Sequence, residues 1–173
     1  MHKKLTVLLI ASLSIFGLST IAEAQKCRYD FDEQDPMSDV RIRRMEIKLK
    51  SYFIVSYYRK GDDMYRIELN VAFTGERNFI VPEGNIIELK LGNGEILSFP
   101  AAQKATPLSY VNVNQVATNY AITHHCNKEQ MEMIAQHGFT VVRTKLGDET
   151  ITMEVKKRKV DDTAEDAACM LTD

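Results

Sequence analysis

The stretch Ile86-Ile87-Glu88-Leu89-Lys90-Leu91-Gly92-Asn93-Gly94-Glu95-Ile96-Leu97-Ser98-Phe99 decides the fold. Two short runs alternate apolar with polar residues and hinge at Gly-Asn-Gly, the pattern of a β-hairpin. The side chains choose the register. A loop of Asn93-Gly94 alone would set Leu91 against Ile96 and Leu89 against Ser98. A loop of Gly92-Asn93-Gly94 sets Leu89 against Leu97 and Ile87 against Phe99, and so gathers these apolar side chains on one face. A slip of one residue would scatter them. The longer loop is therefore expected, with a glycine in the left-handed position.

Similar strands surround this hairpin. Tyr65, Ile67, Leu69, Val71 and Phe73 fall on one face of a run whose other face carries Arg66, Glu68 and Asn70, the period-two pattern of a strand with one buried side. Lys60-Gly61-Asp62-Asp63 turns the chain just before it, so it is expected to pair antiparallel with the preceding segment. That segment, Arg41 to Arg59, reads as one long β-rich stretch. Met45, Ile47, Leu49, Phe53, Val55 and Tyr57 lie on one side and Tyr52, Ile54 and Tyr58 on the other, with a bulge or a strand boundary expected near Arg43-Arg44. Apolar side chains on both faces around residues 52–58 place that strand centrally in a sheet. Asn78 to Val81 reads as a short strand and Pro100 to Asn114 as a loop, long enough to be a crossover between sheets or the rim of a binding surface. Strands are expected again over Val116–His125, Phe139–Thr144 and Thr150–Val155.

Asn127 to Gly138 is the helix of the body. Asn127 caps it, Gln130 completes a capping box, Met131, Ile134 and Ala135 share a face, and Gly138 stops it. At this length it needs packing against the sheets. The basic run Lys156 to Lys159, followed by Asp161, Asp162, Glu165 and Asp166, reads as a solvated end with a weak helix over 164–169. The expected fold is mainly β: a single antiparallel β-sandwich, or a partly open barrel, of about eight strands with one short capped helix near residues 128–137.

The chain opens with a basic start at His2-Lys3-Lys4, an apolar run from Leu5 to Ile21, and Ala22-Glu23-Ala24. This is a signal-peptide pattern, with cleavage expected before Gln25. The run is short for a spanning helix and is diluted by Ser12, Ser14, Gly17, Ser19 and Thr20. The organisation expected is a signal peptide over 1–24, an acidic arm over 25–40, a β-sandwich domain over 41–160 and a polar tail over 161–173. No later apolar run is long enough to span a membrane. Beyond the leader, 20 basic residues face 23 acidic ones. This balance carries no footprint for nucleic acid or an anionic membrane surface.

Three cysteines follow the leader, Cys27, Cys126 and Cys169. Export permits disulfides, and an odd count leaves one thiol over. Cys27 with Cys169 is the favoured pair, because domain termini often lie close together. His124-His125-Cys126 holds metal-ligand chemistry, with His137 as a further candidate, and Cys126 precedes a helix N-terminus. Neighbouring strand residues point to opposite faces, however, so the triplet does not converge, and a structural cysteine is the plainer reading. Asp30, Asp32, Glu33, Asp35 and Asp39 offer oxygen ligands for calcium but lack the glycine and distal glutamate of an EF-hand loop, so a solvated arm is the expectation. Neither a metal nor a cofactor is expected.

No nucleophile elbow, phosphate loop or HExxH motif occurs. Gly92-Asn93-Gly94 is turn chemistry, since no helix follows it. Candidate ligand contacts are the aromatic residues Tyr52, Tyr58 and Tyr110. The leader ending Ala-Glu-Ala, the Ile87–Leu97 hairpin and the strand–capped helix–strand unit from Tyr120 to Arg143, with Lys128-Glu129-Gln130-Met131, together resemble small exported Bacteroidetes-type β-rich domains of unassigned role. The motifs of that resemblance are structural, and it supplies no catalytic residue. The reading of the whole is a non-catalytic binding or interaction module of the periplasm or cell surface, with a protein or glycan partner. The alternatives are a carrier holding a small apolar ligand in an interior cavity and a small secreted enzyme without a recognisable motif.

Overall fold

The computed structural model describes residues 27–112 and 115–172. The expected leader and its cleavage point lie outside the described residues, as does Asn114. The fold is mainly β, 54% strand and 17% helix. A curled sheet of six strands has the order β1 (Phe31–Gln34), β2 (Arg41–Lys50), β3 (Phe53–Lys60), β4 (Met64–Thr74), β8 (Gln115–Cys126) and β7 (Leu108–Asn112). A second sheet of four strands has the order β10 (Glu149–Glu154), β9 (Phe139–Leu146), β5 (Ile86–Leu91) and β6 (Ile96–Pro100). All pairings are antiparallel. A single bridge, Ala101 to His124, stitches the end of β6 to β8. The arrangement is that of a β-sandwich or partly open barrel.

The hairpin has the register its side chains demand: Ile87 faces Phe99 and Leu89 faces Leu97. All are buried, and Leu91 joins them. Gly94 takes a positive φ of 92° and donates its N–H to the Leu91 carbonyl, closing the three-residue loop. The core lies between this face and the inner face of the six-strand sheet, where Met45, Ile47, Phe53, Val55, Tyr57, Ile67, Leu69, Val71, Tyr120 and Ile122 are buried.

Several expectations are corrected. The stretch 41–59 is two strands and not one, because the chain turns at Ser51-Tyr52 and folds Phe53 back opposite Lys50. The register shift falls between Lys48 and Lys50, not at Arg43-Arg44. The stretch 100–114 is not all loop. After Pro107 the chain enters β7 and pairs with β8 as a hairpin, and with β1 this raises the count among the described residues to ten strands. The acidic arm is likewise no free segment, since Phe31–Gln34 pairs along β2.

The largest correction concerns the expected polar tail. Lys157–Leu171 is a fifteen-residue helix, α2, and it covers the core with Thr163, Ala167, Cys169 and Met170 buried. The shorter helix α1 (Lys128–His137) is capped as expected. Asn127 Oδ1 accepts from Gln130 N at 2.8 Å, and Gln130 Oε1 accepts from Asn127 N at 3.1 Å. The two helices pack on each other at Gly138, whose φ is 58° and where a Cβ would run into the Val160 carbonyl oxygen. Thr163 Oγ1 then accepts from Phe139 N at 3.0 Å and so locks α2 to the start of β9.

Candidate functional site

Strand alternation gives the six-strand sheet a second face, directed away from α2. Tyr57 belongs to the inner face and its hydroxyl donates to the Thr163 carbonyl at 3.1 Å, which places α2 on that side. The opposite face is built in cross-strand rows set by the register: Arg44, Tyr58, Arg66 and His125; Glu46, Ser56, Glu68 and Thr123; Lys48, Ile54, Asn70 and Ala121; then Ala72 and Asn119. These pairs lie close enough for each side chain to fix its neighbours.

A groove of about 340 Å³ runs over these rows. Tyr52, from the β2–β3 turn, and Tyr110, from β7, both line it, with Arg44, Glu46, Glu68, Asn70 and Asn119 among its polar groups. Tyr52 is held in place by backbone, since its carbonyl accepts from Ala72 N at 2.8 Å. Tyr110 is placed by pairing with Ala117. Both rings are about half exposed. Below them, Asn70 Nδ2 donates to Glu68 Oε1 at 2.9 Å, and Arg44 Nη2 pairs with Glu46 Oε1 at 3.2 Å. Arg44 Nε is buried and has no hydrogen-bond partner among the described residues. Tyr58 shares the face without lining the groove, and its ring lies beneath the Arg66 guanidinium, 5.9 Å from centroid to carbon. The structure thus brings Tyr52 and Tyr110 together and leaves Tyr58 one row away.

Such a lining suits recognition. Aromatic faces supply apolar area at low entropy cost, while amide, carboxylate and guanidinium groups supply directional hydrogen bonds. Asn70, Asn119, Glu68 and Arg44 escaped sequence reading as site residues, because polar residues on a solvated strand face look alike until a groove collects them. The signal that did exist was the placement of Tyr52, Ile54 and Tyr58 on the face opposite the core.

The histidine–cysteine candidates disperse. His124 points inward and is fully buried, with Nδ1 3.0 Å from the Phe99 carbonyl oxygen. Burial holds its imidazole down at about 4, so the ring is neutral at ordinary pH. His125 points outward, and His137 sits exposed at the end of α1. Burial pushes the Cys126 thiol up to about 12, which overcomes any help from the neighbouring helix terminus and keeps it a thiol. Among the described residues no group of three His, Cys, Asp or Glu side chains converges as a metal would require. In the acidic arm, Asp32 is engaged by Arg41 at 2.7 Å, and Asp35 accepts from Met37 N and Ser38 Oγ. Cys27 and Cys169 are joined by a disulfide, with 5.6 Å between their Cα atoms.

A second concavity, of about 460 Å³, is lined by Arg41, Arg43, Arg59, Gly61 and neighbouring residues. Its two buried arginines are turned to the end of α2, with Arg43 Nε left without a hydrogen-bond partner among the described residues. Arg59 Nη1 donates to the Met170 and Thr172 carbonyls at 2.9 and 2.6 Å, and Arg43 Nη1 also donates to Thr172. These carbonyls close the C-terminus of α2, where backbone acceptors lack helical partners, so the pair serves as a helix cap.

Comparison with family models, with curated proteins and with solved structures finds no match to this chain.

Proposed function

We propose that the chain is an exported, non-catalytic binding module of the periplasm or cell surface, and that it engages its partner through the groove between Tyr52 and Tyr110. One observation carries the reading. Two half-exposed tyrosines, distant in sequence, meet over a floor of paired polar side chains on the sheet face turned away from α2. The leader-like first 24 residues and the Cys27–Cys169 disulfide support an oxidising destination. No helix among the described residues is long and apolar enough to cross a membrane.

Packing favours this reading over an apolar-ligand carrier. Helix α1 sends Met131 and Ile134 fully into the core, filling the space where a carrier's ligand would sit. The chemistry favours it over a cysteine or histidine enzyme, since Cys126 and His124 are held neutral by burial.

The test compares the mature protein with the Tyr52→Ala/Tyr110→Ala variant, both immobilised and exposed to periplasmic extract. Retained protein and saccharide are then identified by mass spectrometry. A species retained by the parent and by an Ile96→Ala control, and lost from the double variant, is the expected result. Equal retention by parent and double variant would place the binding surface elsewhere, and conversion of the retained species to a product would make the protein an enzyme.

A further inference from the structure

The two edges of the six-strand sheet differ in a way that points to a partner. Edge β1 is blunted by charge: all four of its residues are exposed, and Asp32 within it is paired to Arg41. This is how soluble proteins discourage edge-to-edge pairing. Edge β7 carries no charged residue, reading Leu-Ser-Tyr-Val-Asn. Leu108 is 68% exposed, Tyr110 45% and Val111 74%, and Val116 across the hairpin is 41% exposed. Four exposed apolar residues collect at this edge, whereas the other has Phe31 at 37% on β1 and Met37 in the turn that follows it.

The backbone groups available at β7 follow from the ladder. The Val116 carbonyl accepts from Gly75 N at 2.8 Å, so Val116 directs its backbone toward β4 and its neighbours Gln115 and Ala117 direct theirs toward β7. Their partners, Asn112 and Tyr110, face β8 in return. Ser109 and Val111 therefore turn their N–H and C=O groups outward, along the open side of the strand. Pro107 has no N–H, which ends the row of outward donors at Ser109.

We propose that β7 pairs antiparallel with β7 of a second copy, about a two-fold axis at Tyr110. In that register Ser109 of each copy faces Val111 of the other, and the outward N–H and C=O groups of both residues are satisfied on both strands. A register centred on Ser109 would oppose Val111 to Pro107 and lose a donor. The two Tyr110 side chains become a directly opposed aromatic pair on one face, with Leu108 diagonal to them, and Val111 approaches its counterpart diagonally on the other face. The contact is isologous and closes at two copies. It joins two six-strand sheets into one and sets the two Tyr52–Tyr110 grooves on a single continuous face.

Sedimentation equilibrium of the mature protein tests this, in a Cys126→Ser background so that no intermolecular disulfide contributes. A reversible monomer–dimer equilibrium is expected. Val111→Lys sets two cations near the axis and should weaken the dimer at least tenfold, while the high exposure of Val111 leaves the fold intact, as circular dichroism would verify. Ser109→Pro removes an outward donor and should weaken it likewise. Glu33→Lys on edge β1 should change nothing. A monomer at every concentration up to ~1 mM would overturn the proposal. So would a dimer indifferent to both β7 variants, or one broken by Glu33→Lys.

Discussion

His124 is a histidine whose ionisation the fold suppresses. It lies in phase with Tyr120 and Ile122 on the inner side of β8 and is buried at the bridge to Ala101. Its folded value of about 4 lies below the ordinary 6.5. The unfolded chain therefore binds the proton first as pH falls. The stability this residue contributes is complete above pH 6.5 and is lost as pH drops toward 4, by about 3 kcal/mol. Asp166 acts with the opposite sign. Burial, then the carboxylates of Asp162, Asp30 and Glu165, raise it to about 6, so its cost is present at neutral pH and is relieved on acidification. Urea unfolding in an Asp166→Asn background isolates His124: the stability gap between His124→Gln and its parent should narrow by about 3 kcal/mol from pH 7 to pH 4. Arg59 makes the complementary case. It follows Phe53, Val55 and Tyr57 in the inward phase of β3, so the alternation that marks the core also marks a buried arginine. Arg59→Met leaves the Met170 and Thr172 carbonyls without this donor and should lower stability by about 3 kcal/mol in urea melts. Unlike the tyrosines, it should leave partner binding unchanged wherever the chain is folded.

At the scale of elements, the strongest single addition to the sandwich is α2. It is tied to the opposite end of the described chain by the Cys27–Cys169 disulfide, and Tyr29 reinforces the tie by donating its hydroxyl to the Cys169 carbonyl at 2.8 Å. Cross-linking residues 142 apart restrains almost the whole unfolded chain. The Cys27→Ser/Cys169→Ser variant should therefore unfold about 2–4 kcal/mol more easily. Titration of the denatured, unreduced parent should find a single thiol, that of Cys126. The hairpin 86–99 was fully legible because every apolar residue agreed on one register. Helix α2 was not, because its buried face at Val160, Thr163, Ala167 and Met170 is built partly from small and polar residues, and the runs of charge around it look like a solvated tail. Strand β7 was hidden for a different reason: its apolar residues are mostly exposed, so burial supplied no pattern, and its pairing depends on β8 folding back.

For the whole molecule, the division of labour is between two faces of one curled sheet. The inner face meets the hairpin sheet and α2, and the strand phases that build it could be read from alternation alone. The outer face carries the groove, and only the odd-and-even placement of Tyr52 and Tyr58 pointed toward it. That Tyr110 joins Tyr52 is a consequence of strand order, β4 beside β8 beside β7, which no local pattern encodes. The groove is the proposed seat of a partner. A photo-reactive benzophenone side chain placed at Tyr52, and separately at exposed Ile96 on the other sheet, tests it in the living cell. A discrete adduct, distinct from a self-dimer, is expected after irradiation of the Tyr52 variant, and none from the Ile96 variant. Adducts from Ile96 alone, or the same adducts from both positions, would contradict this placement.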